Sequence, residues 1–258
     1  MIKNINVIGS GVMGTQIISL FYLIGYKVNV FYNKNKNEKL IKFNNKLLLK
    51  NFSFSNYGEI SFHSDLNTIS NYLTIESVNE SLEIKKNIFD ILLNKKISRL
   101  YSNTSSIDLS LINNSINLLH FMNPIFLKVF EFTDYKREFK KTDVFYDLNR
   151  LDFNYLELSN TKNFGINKII FSEISEFFKM IELDNHNAEN LNLFYLRVKN
   201  IDIVNLVDKI GVDICHEILI NLSKYNNNIY IPKCFKKALL SNILGKKNKT
   251  SIKNIIFK

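Results

Sequence analysis

Ile2-Lys3-Asn4-Ile5-Asn6-Val7-Ile8-Gly9-Ser10-Gly11-Val12-Met13-Gly14-Thr15 decides the fold. Ile2–Ile8 has the apolar, β-branched makeup of a buried strand, and Thr15–Ile24 has the composition of a helix ending at Gly25. Lys27–Tyr32 alternates as a second strand, so the chain opens as a βαβ unit. Between the first strand and the helix stands Gly9-x-Gly11-x-x-Gly14. In that arrangement the first glycine makes the tight turn, the second admits a pyrophosphate to the backbone, and the third lets helix and strand pack closely. Gly9, Gly11, Val12, Met13 and Gly14 are therefore candidate dinucleotide ligands.

Alternation of strand and helix continues downstream. A helix is expected near Glu38–Lys50, short strands near Glu59–His63 and Tyr72–Glu76, and a helix over Ser81–Leu93. A strand at Arg99–Ser102, a short helix at Ile107–Ile112, and strands at Asn117–Phe121, Lys128–Thr133 and Phe153–Leu158 follow. From Phe164 the period changes from 2 to 3.6. Ile169, Ile170, Ile174, Phe177, Phe178 and Ile181 form one stripe, and helices follow at Leu191–Val198, Ile203–Ile210, Val212–Tyr225 and Lys233–Ile243. The expected architecture is α/β, a Rossmann-type doubly wound sheet over residues 1–160 followed by an all-helical domain over 161–258.

Composition narrows the function classes. The 258 residues, 46% of them hydrophobic, suffice for a real core, and no apolar run approaches the roughly 20 residues of a membrane span. No secretory leader is read at Met1, so a cytoplasmic protein without membrane attachment is expected. Cys215 and Cys234 form neither a disulfide framework nor a metal spacing, so both are expected reduced and no metal is expected. The net charge of +10 suits an acidic substrate or partner, but the lysines are spread through an Asn- and Ile-rich chain poor in Gly (8) and Pro (2). No aromatic and basic interleaving recommends nucleic acid.

Two further features meet the glycine loop at the carboxyl edge of such a sheet, where open α/β folds bind ligands. Ser102-Asn103-Thr104-Ser105-Ser106 follows one strand. His120 ends another, with Asn123-Pro124 turning the chain and Glu131 eleven residues on, an arrangement suited to a general base with a carboxylate partner across a hairpin. At the end of the second strand, where an acid usually receives the ribose, the chain has Tyr32, Asn33 and Lys34. Tyr32 and Asn33 can hydrogen-bond a ribose hydroxyl and Lys34 favours an added 2′-phosphate; NAD is preferred to NADP.

The glycine loop, Glu76-Ser77-Val78-Asn79-Glu80-Ser81-Leu82-Glu83-Ile84-Lys85, the Ser102–Ser106 segment, His120-Phe121-Met122-Asn123-Pro124 and Glu131, in that order, resemble the 3-hydroxyacyl-CoA dehydrogenase family. Asn160-Thr161-Lys162-Asn163-Phe164-Gly165-Ile166-Asn167-Lys168 is similar to the segment entering that family's first long C-terminal helix. The resemblance implies His120 as general base, Glu131 as its orienting carboxylate, Ser105 and Asn167 as holders of substrate oxygens, and Glu80 and Lys85, with Asn103, on the cofactor side. It also implies an acyl-CoA substrate, or in related members an acyl-carrier-protein thioester of specialised biosynthesis, and a homodimer through the helical domain. Structural readings stand beside these roles: Ser105 capping Ile107–Ile112, Glu80 capping Ser81–Leu93, and Asn167 as a first-turn residue. The chain departs from the family pattern where it loses glycine and proline, at Lys162-Asn163, before Ile203, and in the tail Thr250–Asn254. It is also one residue short between Pro124 and Glu131. Those losses leave open a catalytically weakened relic that retains dinucleotide binding.

Overall fold

The computed structural model describes residues 3–52, 54, 56–160 and 165–257. The strand expected from Ile2, the Lys162-Asn163 departure and the helix start at Phe164 touch positions outside that set. The chain divides into two compact units, residues 1–162 and 163–258.

The first unit is built on one eight-stranded sheet: β1 (Lys3–Ile8), β2 (Tyr26–Phe31), β3 (Glu59–His63), β4 (Leu73–Glu76), β5 (Leu100–Ser102), β6 (Asn117–Phe121), β7 (Val129–Phe132) and β8 (Asn154–Glu157). Its order is β3-β2-β1-β4-β5-β6-β7-β8. β1 to β6 are parallel, β7 runs antiparallel to β6, and β8 is parallel to β7. Reversal of strand order on either side of β1 creates the switch point at which such sheets bind ligands. Helices α1 (Val12–Leu23), α2 (Glu38–Asn51), α3 (Leu82–Asn94) and α4 (Asp143–Arg150) belong to this unit. Ile5, Val7, Val28, Val30 and Ile75 from the strands and Ile17, Leu20 and Phe21 from α1 are fully buried in one core.

Several elements differ from the sequence expectation. α1 begins at Val12, not Thr15, because Gly11 in extended conformation acts as the N-cap residue. The helix expected over Ile107–Ile112 shrinks to one 3₁₀ turn at Leu109–Leu111, capped by Asp108 through the Ser110 N–H. Helix α4 was not anticipated. Thr142 caps it by accepting from the Phe145 N–H, and Val144, Phe145 and Leu148 are buried.

The second unit is helical: α5 (Gly165–Glu182), α6 (Ala188–Lys199), α7 (Ile203–Ile210), α8 (Val212–Ser223), α9 (Lys233–Leu240) and α10 (Lys253–Ile256). Phe171, Ile174, Phe178, Val207, Leu219 and Phe235 anchor its core. Loops are tied by carboxylates, one half-buried and one buried. Glu182 accepts from the Tyr230 hydroxyl and the Lys233 and Cys234 N–H groups, and Asp208 accepts from the Ser251 hydroxyl and the Ile252 N–H. Burial works against the charge on Glu182, but these donors outweigh it and hold the carboxyl below its ordinary range. Cys215 and Cys234 are free thiols, and no described helix is long and apolar enough to cross a membrane.

Asp147 of α4 is the clasp between that helix and the start of the sheet. Its Oδ2 accepts from the Tyr26 hydroxyl at 2.8 Å and from Lys3 Nζ at 2.7 Å, and the residue is almost wholly buried. Burial and the Asp147 carboxylate together push the Tyr26 hydroxyl far above its ordinary pKa, so it remains a donor. Asp147→Ala leaves a buried phenol unsatisfied and should destabilise the protein by about 2 kcal/mol. Chemical denaturation measures this, and a change below about 0.5 kcal/mol would show that the clasp does not hold α4.

Candidate functional site

The site is assembled on the carboxyl edge of the sheet, where β1, β4, β5 and β6 all end. At the end of β1, Gly9 has φ +101°, and a Cβ there would stand 2.4 Å from the Ser77 carbonyl oxygen. A Cβ on Gly14 would stand 2.2 Å from the Gly9 carbonyl oxygen. These two glycines are required by the protein's own packing.

Gly11 differs. Its φ of −69° suits any residue, and nothing lies within 4 Å of the place a Cβ would take. Folding gives no reason for glycine there, whereas a group approaching the backbone from outside does. α1 has no side-chain cap and no acidic residue in its first turn, so its N–H groups and positive dipole end suit an anion. Val12 is exposed and Met13 is partly buried against the core.

Beyond the loop lies a buried ionic network. Glu76, ending β4, accepts from Lys85 Nζ at 2.6 Å and the Val78 N–H at 2.7 Å through Oε1, and from the Ser102 hydroxyl at 2.5 Å through Oε2. Lys85 also lies 3.4 Å from Glu80 Oε2. Glu80 Oε1 in turn accepts from the Thr104 hydroxyl at 2.5 Å, the Ser105 N–H at 2.8 Å and the Ser106 N–H at 2.9 Å. Burial alone would disfavour each charge. The Lys85 ammonium and these donors nevertheless hold Glu80 below the usual carboxylate range, and Glu76 and Glu80 hold Lys85 above the usual amine range.

Glu80 therefore fastens the turn that carries Ser105 and does not cap α3. That cap is Ser81, whose hydroxyl accepts from the Ile84 N–H. After Ser105, the Ile107 N–H donates to the Thr104 hydroxyl, and Asp108 is the N-cap residue of the 3₁₀ turn that follows. Lys85 was expected on the cofactor side, yet its side chain is 1% exposed and enclosed between two carboxylates. Asn103 accepts from the Phe121 N–H at 2.8 Å and donates to the Ser77 hydroxyl at 3.5 Å, pinning the ends of β4, β5 and β6 together. Sequence reasoning gave Glu76 no role. Its signal was a carboxylate ending an otherwise apolar strand.

His120 lies directly opposite Glu131 in the antiparallel register of β6 and β7. Nδ1 and Oε2 are 3.3 Å apart, with the residues 7% and 2% exposed. The turn between β6 and β7 closes through Asn123, at φ +49°, whose carbonyl accepts from the Phe126 and Leu127 N–H groups. A carboxylate facing Nδ1 is an acceptor, which suits a neutral ring that carries its proton on that nitrogen. Asn167 lies buried in the first turn of α5, in the second unit.

The loop at the end of β2 is joined to the glycine loop. Ser10 Oγ donates to the Asn35 carbonyl at 2.5 Å, and Asn37 Nδ2 donates to the Ser10 carbonyl at 2.6 Å. Tyr32 is partly buried beside Phe62, and Asn33 is exposed. Among the described residues no group of three or more His, Cys, Asp or Glu side chains is placed to hold a metal.

The sequence profile described as 3-hydroxyacyl-CoA dehydrogenase, NAD binding domain, matches residues 4–133, just over half of the chain. The chain belongs to the 3-hydroxyacyl-CoA dehydrogenase family. Solved structures agree on the fold. FadB2 of Mycobacterium tuberculosis is similar with TM-score 0.81 at 20% identity, over 97% of this chain and 98% of that one. The (S)-3-hydroxybutyryl-CoA dehydrogenase PaaH1 of Ralstonia eutropha has TM-score 0.74 at 18% identity, over 98% of each chain. The 3-hydroxybutyryl-CoA dehydrogenase of Escherichia coli K12 has TM-score 0.76 at 19% identity, over 98% of this chain and 59% of that one. A search of curated proteins finds no significant sequence match.

NAD is thus the cofactor of this domain, and the open face at Gly11 and the uncapped start of α1 fit its pyrophosphate. Two glycine variants separate packing from binding. Gly14→Ala should lower the melting temperature by several degrees, because its Cβ overlaps backbone. Gly11→Ala should melt as the parent does while binding NADH roughly tenfold more weakly. Thermal melts with a fluorescence titration of NADH read both, and unweakened binding by Gly11→Ala would contradict the pyrophosphate assignment.

Proposed function

We propose that this protein interconverts an (S)-3-hydroxyacyl thioester and the corresponding 3-ketoacyl thioester, with coenzyme A as the carrier and residues 1–160 as the dinucleotide domain. The observation that carries the reading is the buried His120–Glu131 pair on the sheet edge that also bears the glycine loop.

Bound NAD supplies the hydride acceptor. In the oxidative direction the C3–H bond of the substrate breaks with its electron pair, and the C3–O–H proton passes to Nε2 of His120 as the carbonyl forms. Imidazole is suited to this step because it can both accept and return a proton. The Glu131 carboxylate holds the ring by Nδ1 and stabilises the imidazolium that results. In the reductive direction the same proton returns to the developing alkoxide.

Ser105 and Asn167 hold the substrate oxygens, a role that rests on their motifs. For Ser105 it is supported by the way Glu80 fixes the turn from beneath. Residues 161–258 are the helical substrate and dimerisation domain. The exposed apolar side chains Leu193, Phe194 and Val198 of α6 support a homodimer.

The test is NADH-dependent reduction of acetoacetyl-CoA. The parent protein should turn over, His120→Ala should lose roughly a thousandfold in kcat/KM, and Glu131→Gln should lose at least about tenfold. A folded, NADH-binding protein without turnover would overturn the reading, and so would a His120→Ala variant as fast as the parent.

A further inference from the structure

Between β2 and the first carboxylate of α2 the chain reads Tyr32-Asn33-Lys34-Asn35-Lys36-Asn37, with no acid. The end of the second strand is where a dinucleotide fold meets the adenosine ribose. A carboxylate there accepts hydrogen bonds from the ribose hydroxyls and repels a phosphate esterified to the 2′-oxygen. A cation in the same place has the opposite preference.

This segment is fixed next to the cofactor loop. Ser10, between the first two glycines of the motif, donates to the Asn35 carbonyl at 2.5 Å and accepts from Asn37 Nδ2 at 2.6 Å. Lys34 and Lys36 are both exposed. Lys36 Nζ lies 5.8 Å from the centre of the Tyr32 ring and 5.5 Å from that of Phe62, so its stem is guided by two aromatic faces at the ends of β2 and β3. A lysine already guided in this way loses less freedom on engaging a phosphate than one free in water.

We infer that this chain binds NADP(H) at least as tightly as NAD(H), with Lys34 and Lys36 meeting the 2′-phosphate. The inference rests on the dinucleotide reading of the glycine loop and goes beyond the NAD of the family. Tyr32 occupies the strand end with an uncharged ring in place of an acid, and the two ammonium groups attract a dianion.

Fluorescence titration of the full chain with NADH and with NADPH tests this by binding alone. The expected dissociation constant for NADPH is no larger than that for NADH, and raising the salt should weaken NADPH more than NADH. Lys34→Gln with Lys36→Gln, both at exposed positions, should weaken NADPH roughly tenfold and change NADH by less than about twofold. Tyr32→Asp should restore preference for NADH. Weaker binding of NADPH than NADH by the parent protein overturns the inference, as does a double variant that loses both dinucleotides equally. Binding of neither dinucleotide defeats the reading of the glycine loop itself, which distinguishes the two failures.

Discussion

The antiparallel pairing of β7 on β6 is the constraint on which the chemistry depends. A strand added in parallel at that edge would need a long crossover and would begin from the opposite side of the sheet. Reversal allows a short turn at Asn123 and Pro124, after which Glu131 falls directly across from His120. Because side chains alternate along a strand, a slip of one residue in β7 would send the carboxylate to the other face. Phe130 and Phe132, buried on either side of Glu131, resist that slip, since it would exchange their apolar surroundings for the position of a charge. The sheet thereby fixes an imidazole by one nitrogen without any contribution from a flexible loop.

Buried charge also organises the neighbouring strand ends. Glu76, Lys85 and Glu80 pass charge from the end of β4, through α3, to the turn after β5. Removing Lys85 would leave two carboxylates without their shared cation, a change that commonly costs about 3–5 kcal/mol. Asn103 completes the fastening by joining β4, β5 and β6. Ser105 is held on a pre-ordered turn, and its N–H is directed at Glu80.

Much of this was readable from the residues. Alternation and glycine spacing placed β1, α1 and β2, and the period change near 164 separated sheet from helices, because local patterning and tertiary burial agree there. Helix α4 falls in a gap of the sequence reading, between the strands at Lys128–Thr133 and Phe153–Leu158, although Thr142-Asp143 followed by Val144, Phe145 and Leu148 is a cap with an apolar face. Ile107–Ile112 lost its expected helix because the Thr104 hydroxyl and the Asp108 carboxylate accept locally from the Ile107 and Ser110 N–H groups. Lys85 illustrates what sequence reasoning cannot weigh: whether a charged side chain meets solvent, ligand or a buried partner depends on strands far away in the chain.

The central claim is that Glu131 sets the proton arrangement of His120. Nitrogen-15 NMR of the labelled protein, at a pH where the ring is neutral, reads that arrangement directly. The account predicts the Nδ1–H form with Nε2 unprotonated, shifting towards a mixture in Glu131→Gln. A predominant Nε2–H form in the parent protein would contradict it, because the ring would then have no basic atom to offer a substrate hydroxyl.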